Sequence, residues 1–443
     1  MKWLLQGIGT YRDRPCIVHQ GNRYTYTNLF QQAEGYYSEI QREIPSGSVV
    51  AISSDYSFYS ISLFLALLQN KNIIVPITTA IQSEVDQRLT NSFADNVISV
   101  QSEKLSIQRL VPKEPKHDLI LKLQSTERSG LILFSSGMTG KPKAMIHDLD
   151  TLVDSFQGKK PKNLTFLVFL MFDHIGGLNT LFNCLAMGAT LVLPDSRDTE
   201  YICRLIEENK VEILPASPTF LNLIYISGAY KKFDLSSLKL VTYGTEPMPE
   251  SLLLRLRTVF PRVKFLQTFG TSETGIAQTS SKSSTSTLIK IDDPNLEYKI
   301  LDGELLLRSK TQILGYINSS MESFTADGWF KTGDLIETTE GGYLKIIGRK
   351  SDMINVGGQK VLPSEIESVL MLMPEVDDCI VYGEPNAITG RMVTVEIVTN
   401  IPVEKSAIIR HCRNYLDPYK IPARIRFVDK PTFTERYKKI RKH

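Results

Sequence analysis

The chain has 443 residues, 42% of them hydrophobic and 22% charged, with a formal net charge of +3. That length exceeds one ordinary core and predicts two or more domains, while the composition excludes a disordered chain and the small charge gives no reason to expect a nucleic-acid partner. The opening MKWLLQGIGTYRDRP lacks the apolar segment of a signal peptide, and the strongest apolar run, FLVFLMF at 166–172, is far short of the roughly 20 residues a membrane span needs.

In chain order, SVVAIS is a strand signal before the helical SFYSISLFLALLQNK, and NIIVPI follows as another strand. ATLVLP then precedes DTEYICRLIEENK, and VEILPA precedes SPTFLNLIYISGAY. This alternation predicts an α/β fold with layered, parallel strands in a large N-terminal unit. QTSSKSSTSTL at 278–288 predicts a surface loop. From Glu304 the texture changes to Gly-punctuated short strands, ELLLRSKTQILGYI and GGYLKIIGRK. A boundary at 349–351 divides residues 1–349 from a small α+β unit, 350–443. In that unit Ser364 is the expected N-cap, with Glu367 completing a capping box, ahead of an apolar face of Ile366, Val369, Leu370 and Met373. DDCIVYG and RMVTVEIV are strands, and a helix runs through EKSAIIRHCRNYL.

Five cysteines (Cys16, Cys184, Cys203, Cys379, Cys412) and six histidines are scattered without metal-ligand spacing. Free thiols in a reducing cytoplasm are expected, and no metal held by protein ligands alone.

Four loops carry chemistry. FSSGMTGKPKAM, residues 134–145, follows the apolar run LILF. A Gly-rich turn there exposes backbone N–H groups, Ser135, Ser136 and Thr139 add hydroxyls, and Lys143 supplies charge for a polyphosphate. Pro142 after Lys141 excludes a Walker A loop. TFGTSETG at 268–275 offers Glu273, a carboxylate able to hold Mg²⁺. GWFKTGDL at 328–335 offers Asp334 as an acceptor for two ribose hydroxyls, and Arg349 opens GRKSDMINVGG. Each alone is an ordinary polar turn; their order and spacing together are a strong signal.

With these motifs the chain resembles the adenylate-forming superfamily of acyl-CoA synthetases, nonribosomal adenylation domains and luciferase, from about Arg14 to Arg441. The resemblance implies a large N-terminal domain and a small mobile C-terminal domain. It implies an ATP- and Mg²⁺-dependent acid–thiol ligase, in which a carboxylate attacks the α-phosphate and a thiol then attacks the acyl-adenylate. By the same resemblance Ser135, Ser136, Gly137, Thr139, Gly140 and Lys143 form the phosphate loop. Thr268, Phe269, Gly270, Thr271, Ser272 and Glu273 form the adenine and magnesium motif, and Gly244, Thr245 and Glu246 line the adenine. Asp334 and Arg349 hold ribose. His174 in FDHIGGLNTLF gates the carboxylate, with Gly176, Tyr243 and Gly244 beside the acid. Asp173 is expected to cap the next helix, and His147 to orient a loop or cap a helix.

The family's adenylation lysine lies in a motif like T-x-x-G-K-x-x-R. Counting from Thr434 and back from Arg441 selects Lys438, with Tyr437 where glycine usually sits; counting from Ile440 selects Lys439. The mixed residues Gly176, Gly177, Asn179, Ser217, Thr219 and Tyr243 suit a small or medium acid with a polar group. The acceptor is CoA in an acyl-CoA ligase, or a carrier protein's phosphopantetheine in a free-standing loading enzyme. A catalytically silent homologue is the rival from another class, suggested by Met138, Ser351 and the irregular YKK end.

Overall fold

The computed structural model describes residues 2–101, 103–111, 114–135, 142–429, 433–434, 437 and 439–441. Ser136, Gly137, Met138, Thr139, Gly140 and Lys438 lie outside the described residues.

IIVPI and GLILF are apolar at nearly every position, a pattern that suits strands covered on both faces. They form Ile73–Ile77 and Gly130–Phe134, buried throughout. Their sheet runs in the order Gly315–Tyr316, Ala144–Asp148, Gly130–Phe134, Ile73–Ile77, Val49–Ser53, Asn96–Gln101, Lys104–Arg109. Its middle strands are parallel and both ends are antiparallel. A second sheet, in the order Lys264–Gln267, Leu240–Tyr243, Ile213–Ala216, Thr165–Leu167, Thr190–Leu193, Pro15–His19, Asn22–Thr25, is parallel except at its last pair. The expected α/β class holds, with antiparallel strands completing the sheet edges.

One apolar cluster joins a face of each sheet through the helices Tyr26–Glu43, Phe58–Gln69 and Ile175–Met187. Ser57 caps Phe58–Gln69 by accepting from the Ser60 N–H, and Ser60 returns the bond to the cap backbone. A second cluster covers the outer face of the second sheet with helices Thr199–Asn209, Pro218–Ser227 and Glu250–Val259.

A six-stranded antiparallel sheet follows, in the order Thr279–Ser281, Ile289–Ile291, Tyr343–Arg349, Phe330–Thr339, Glu304–Ser309, Leu296–Leu301. The loop expected over 278–288 is therefore part strand. Ser281 Oγ accepts from the Gln267 N–H at 3.0 Å and Thr279 Oγ1 donates to the Gln267 carbonyl at 2.7 Å, which ties this polar strand to the second sheet.

The last sheet pairs Gln359–Val361, Ile354–Val356, Gly390–Thr399 and Val376–Asn386, with Arg424–Phe427 parallel to Gly390–Thr399. Helices Pro363–Leu370 and Lys405–Arg413 close its core through Ile366, Leu370, Ile408 and Cys412. Ser364 is not the N-cap. Leu362 holds that position and Pro363 opens the helix, because proline's fixed φ and missing N–H suit the first turn. Ser364 Oγ instead donates to the Ile347 carbonyl, and Glu367 accepts from the Val381 N–H at 2.9 Å. All five cysteines are buried and free. Among the described residues no helix is long and apolar enough to cross a membrane.

Candidate active site

The buried strand Gly130–Phe134 ends at the phosphate-loop motif, and the chain returns as Ala144–Asp148. Ser135 N–H donates to the Lys143 carbonyl at 3.0 Å. Asn318 holds the returning arm twice: its Oδ1 accepts from the Ala144 N–H at 2.7 Å and its Nδ2 donates to the Pro142 carbonyl at 2.9 Å. The Lys143 ammonium lies 5.0 Å from the Tyr316 ring centroid, a cation–π approach. Tyr316 Oη donates to Glu273 Oε1 at 2.9 Å, and burial, then Glu273, raises the phenol above its usual range. One tyrosine thus holds both the lysine and the carboxylate. Sequence reasoning missed Tyr316 and Asn318, although both sit in the quoted run ending ILGYI or next to it.

Glu273 occupies the turn between Phe269–Thr271 and Gly275–Ala277, which pair antiparallel. Thr271 Oγ1 accepts from the Thr274 N–H at 3.1 Å, and the Ile313 N–H donates to the Glu273 carbonyl at 2.8 Å, fixing the turn. A Cβ on Gly270 would lie 2.5 Å from the Gly275 carbonyl, so the hairpin needs glycine there. His147 lies buried under this turn, against the backbone of Ser272 and Thr311, and burial lowers its pKa to about 4. It does not cap a helix; Asp148 caps Leu149–Asp154.

Gly244, Thr245 and Glu246 follow the strand Leu240–Tyr243. A Cβ on Gly244 would meet the Thr268 carbonyl at 2.8 Å, so two motif loops touch backbone to backbone. Thr245 has φ +74, a costly conformation for a β-branched residue and one that clusters at binding sites. The half-buried Glu246 accepts from the Thr219 N–H at 2.8 Å; burial raises its pKa, while Thr219 and Lys439 pull it back. The Tyr243 ring, expected beside the acid, is instead 1% exposed and packs in the core, and Tyr243 lines neither cavity of the site.

Asp334 and Arg349 face each other across the antiparallel strands Phe330–Thr339 and Tyr343–Arg349, with Arg349 Nε donating to Asp334 Oδ1 at 3.0 Å. The two predicted ribose residues are one cross-strand ion pair. Asp334 is 5% exposed, while the arginine side chain is 47% exposed.

His174 is itself the N-cap of Ile175–Met187: its Nδ1 accepts from the Gly176 N–H at 3.0 Å. That bond puts the neutral ring's proton on Nε2. Asp173 does not cap the helix. It is buried in an ion pair with Arg88 at 2.8 Å.

At the C-terminal end, Lys439 Nζ donates to Asp378 Oδ1 at 2.6 Å and to the Cys379 carbonyl at 2.8 Å. Burial alone would lower the ammonium's pKa, but Asp378 and Glu367 outweigh it and raise it. Arg441 pairs with Glu367 at 2.8 Å and Asp352 at 3.1 Å.

These loops wall one cavity of about 530 Å³, lined by Ser135, Lys143, His174, Gly176, Gly244, Thr245, Thr268, Gly270, Thr271, Ser272, Glu273 and Arg349. Gly244, Thr245, Thr268, Gly270 and Arg349 also line a second cavity of about 240 Å³, together with Glu246, Phe269, Asp334, Lys439 and Arg441. Residues 6–317 match the family model described as AMP-binding enzyme, and residues 365–436 match that of the AMP-binding enzyme C-terminal domain. The chain belongs to the AMP-binding enzyme family. This AMP-binding chain is 25% identical to the 2-succinylbenzoate–CoA ligase of Bacillus licheniformis, over 97% of its own length and 96% of the relative's. It superposes on the o-succinylbenzoate CoA synthetase of Bacillus subtilis, solved with an acyl-adenylate intermediate, with a TM-score of 0.78 at 22% identity, covering 97% of this chain and 95% of that one. An anthranilate CoA ligase solved with anthranoyl-AMP gives a TM-score of 0.81 at 20% identity, over 98% and 94%. The fold is that of adenylate-forming enzymes, as the motifs implied.

Proposed function

We propose that this chain is an acid–thiol ligase that activates a carboxylic acid as its acyl-adenylate and passes the acyl group to CoA. The observation carrying this reading is the single cavity onto which the phosphate-loop lysine, Glu273, His174 and Arg349 all open, in a chain aligned end to end with CoA ligases. A carboxylate lacks a good leaving group, and AMP supplies one. Attack on the α-phosphate expels pyrophosphate, so the site must offset negative charge on the phosphates. Lys143, held over the Tyr316 ring, provides positive charge for that. In this reading His174 would donate from Nε2 to the incoming carboxylate. Asp334 accepts from the ribose hydroxyls while Arg349 holds its carboxylate in place.

The residues also fit Mg²⁺ carried in with the nucleotide. Among the described residues no cluster of three or more His, Cys, Asp or Glu could hold a metal, yet Glu273 offers one carboxylate, and magnesium is commonly bound by one or two carboxylates plus substrate phosphates. Bound there, it would neutralise phosphate charge; Glu273 would hold it, and Tyr316 would orient Glu273.

Residues 350–443 would form the mobile small domain, pivoting near Ser351 between the two half-reactions. With Lys439 committed to Asp378, Lys438 is the adenylation lysine in this reading. Besides His174, the cavity near the acid carries Leu170, Asn179, Thr180, Thr242 and Ile276, which suits a small or medium acid with a neutral polar group. The test is pyrophosphate release from ATP across a library of carboxylic acids, with and without CoA. Release with one acid class that yields a CoA thioester is expected. Release indifferent to CoA would move the acceptor to a carrier protein, and no release with any acid would sink the ligase reading.

A further inference from the structure

Tyr437 stands where the motif of the C-terminal end has glycine in the family it resembles, and its backbone is in the left-handed region at φ +53. Glycine adopts that conformation freely, whereas a tyrosine needs compensating contacts. Within its own segment it stacks on Phe433 at 5.2 Å and its N–H donates to the Thr434 carbonyl at 2.9 Å, and its remaining contacts reach the N-terminal part of the chain. The ring seats between Phe169 and Phe220, with centroids at 5.5 and 5.1 Å. Its Oη donates to the Arg197 carbonyl at 2.7 Å, and its own carbonyl accepts from Ser217 Oγ at 2.9 Å. Two residues on, Lys439 is bonded to Asp378 and Cys379, in the last sheet. The short turn around Tyr437 therefore bridges the two parts of the molecule.

The seat is also wired to the gate. Arg197 Nε donates to the Phe169 carbonyl at 2.7 Å and its Nη2 pairs with Asp55 at 2.8 Å, while Asp55 Oδ1 accepts from the Phe172 N–H at 3.0 Å. The stretch 169–172 that these bonds fix leads directly into His174.

We propose that Tyr437 is a positioning residue for the adenylation half-reaction: its ring is the plug that docks the C-terminal segment onto the N-terminal body beside the His174 loop, and it must withdraw before the small domain can turn for thioester formation. The proposal rests on the ligase reading for its kinetic part, but not for its structural part. The residue acts through the segment it anchors and touches no reacting atom. Tyr437→Gly is a clean probe, because glycine relieves the φ while removing the plug; Tyr437→Phe keeps the ring and loses only the bond to Arg197.

Two exposed helix positions, Glu208 and Arg410, can be changed to cysteine and spin-labelled, the five native thiols being buried. The distance distribution between the labels should be narrow in the otherwise unaltered chain and broad with Tyr437→Gly, with Tyr437→Phe between them. ATP–pyrophosphate exchange should fall about tenfold in kcat with Tyr437→Gly, while thioester formation from supplied acyl-adenylate and CoA is unchanged or faster. An unaltered distance distribution in Tyr437→Gly would overturn the proposal, as would a loss shared equally by both half-reactions. If the parent enzyme exchanges pyrophosphate with no acid, the ligase reading falls, and the distance measurement still decides whether Tyr437 is the plug.

Discussion

Gly177, the second glycine after His174, tests how tightly the start of the helix Ile175–Met187 is packed. A Cβ there would lie 2.3 Å from the Met171 carbonyl, 2.9 Å from the Leu170 carbonyl and 3.0 Å from Tyr56 Oη. Ordinary contact begins near 3.4 Å, so roughly 1 Å must come from backbone moving against backbone in a close-packed interior. Two effects compete in Gly177→Ala. Alanine favours the helix Ile175–Met187 by about 0.5–1 kcal/mol. The overpacking costs about 1–3 kcal/mol and wins, since carbonyl oxygens cannot rotate away as a side chain would. We expect melting to drop by about 1–3 °C in differential scanning fluorimetry. Moving the helix start shifts the His174 ring as well, and about 1 Å of misplacement can cost on the order of 100-fold in rate, read as kcat/KM for the acid in pyrophosphate exchange. Gly35→Ala is the control: it is exposed inside Tyr26–Glu43 with nothing within 4 Å of the added carbon, and should gain about 0.4–1 kcal/mol at unchanged exchange. A Gly177→Ala enzyme with the parent's melting temperature and kcat/KM would refute the argument.

Asp334→Asn should raise KM for ATP by about 10- to 100-fold, the worth of a charged hydrogen bond, with a smaller change in kcat; an ATP titration of exchange decides it. Tyr316→Phe keeps the ring under Lys143 but frees Glu273, so the Mg²⁺ concentration for half-maximal exchange should rise about fivefold, measured by titrating the metal. His147, held neutral down to about pH 4, gives stability a pH slope. Between pH 6.5 and 4 the unfolded chain binds a proton that the folded one refuses, so stability falls as pH falls, by about 3 kcal/mol across the window. His147→Leu should flatten that slope, and urea midpoints at pH 7 and 5 would reveal a failure if both proteins lost stability equally.

The helix and strand alternation of the first 260 residues was legible because short β-rich apolar runs such as NIIVPI recur between amphipathic segments, and they fold as covered strands. The residues of four sequence motifs, Lys143, Glu273, Gly244 and Arg349 among them, do line one cavity, and small residues with a charge at fixed spacing are what marked them. What escaped notice has long-range causes. Tyr316 joins Ala144–Asp148 through a strand of two residues, about 170 positions away in the chain, and no local period encodes that pairing. Asp173 and His174 are both competent caps, and local sequence cannot rank them. Arg88, 85 residues upstream, takes the aspartate and leaves the cap to the imidazole. At Ser364 two N-terminal signals compete, and the proline before it prevails because its φ is already helical.

Tyr437 shows the same logic in reverse. As sequence, YKK reads as decay of a glycine-lysine motif and counts toward a silent homologue. In the fold, the backbone keeps the left-handed conformation that glycine would have, and the added side chain fills a slot between Phe169 and Phe220. A decaying motif would be expected to lose the strained conformation first, since nothing would oppose its relaxation. Here the conformation persists with a half-buried ring and a hydrogen bond from its hydroxyl, so the substitution adds a contact where glycine has none. That favours a chain whose docking has been strengthened over one whose chemistry has lapsed, and it ties the strength of that docking to the balance between the two half-reactions.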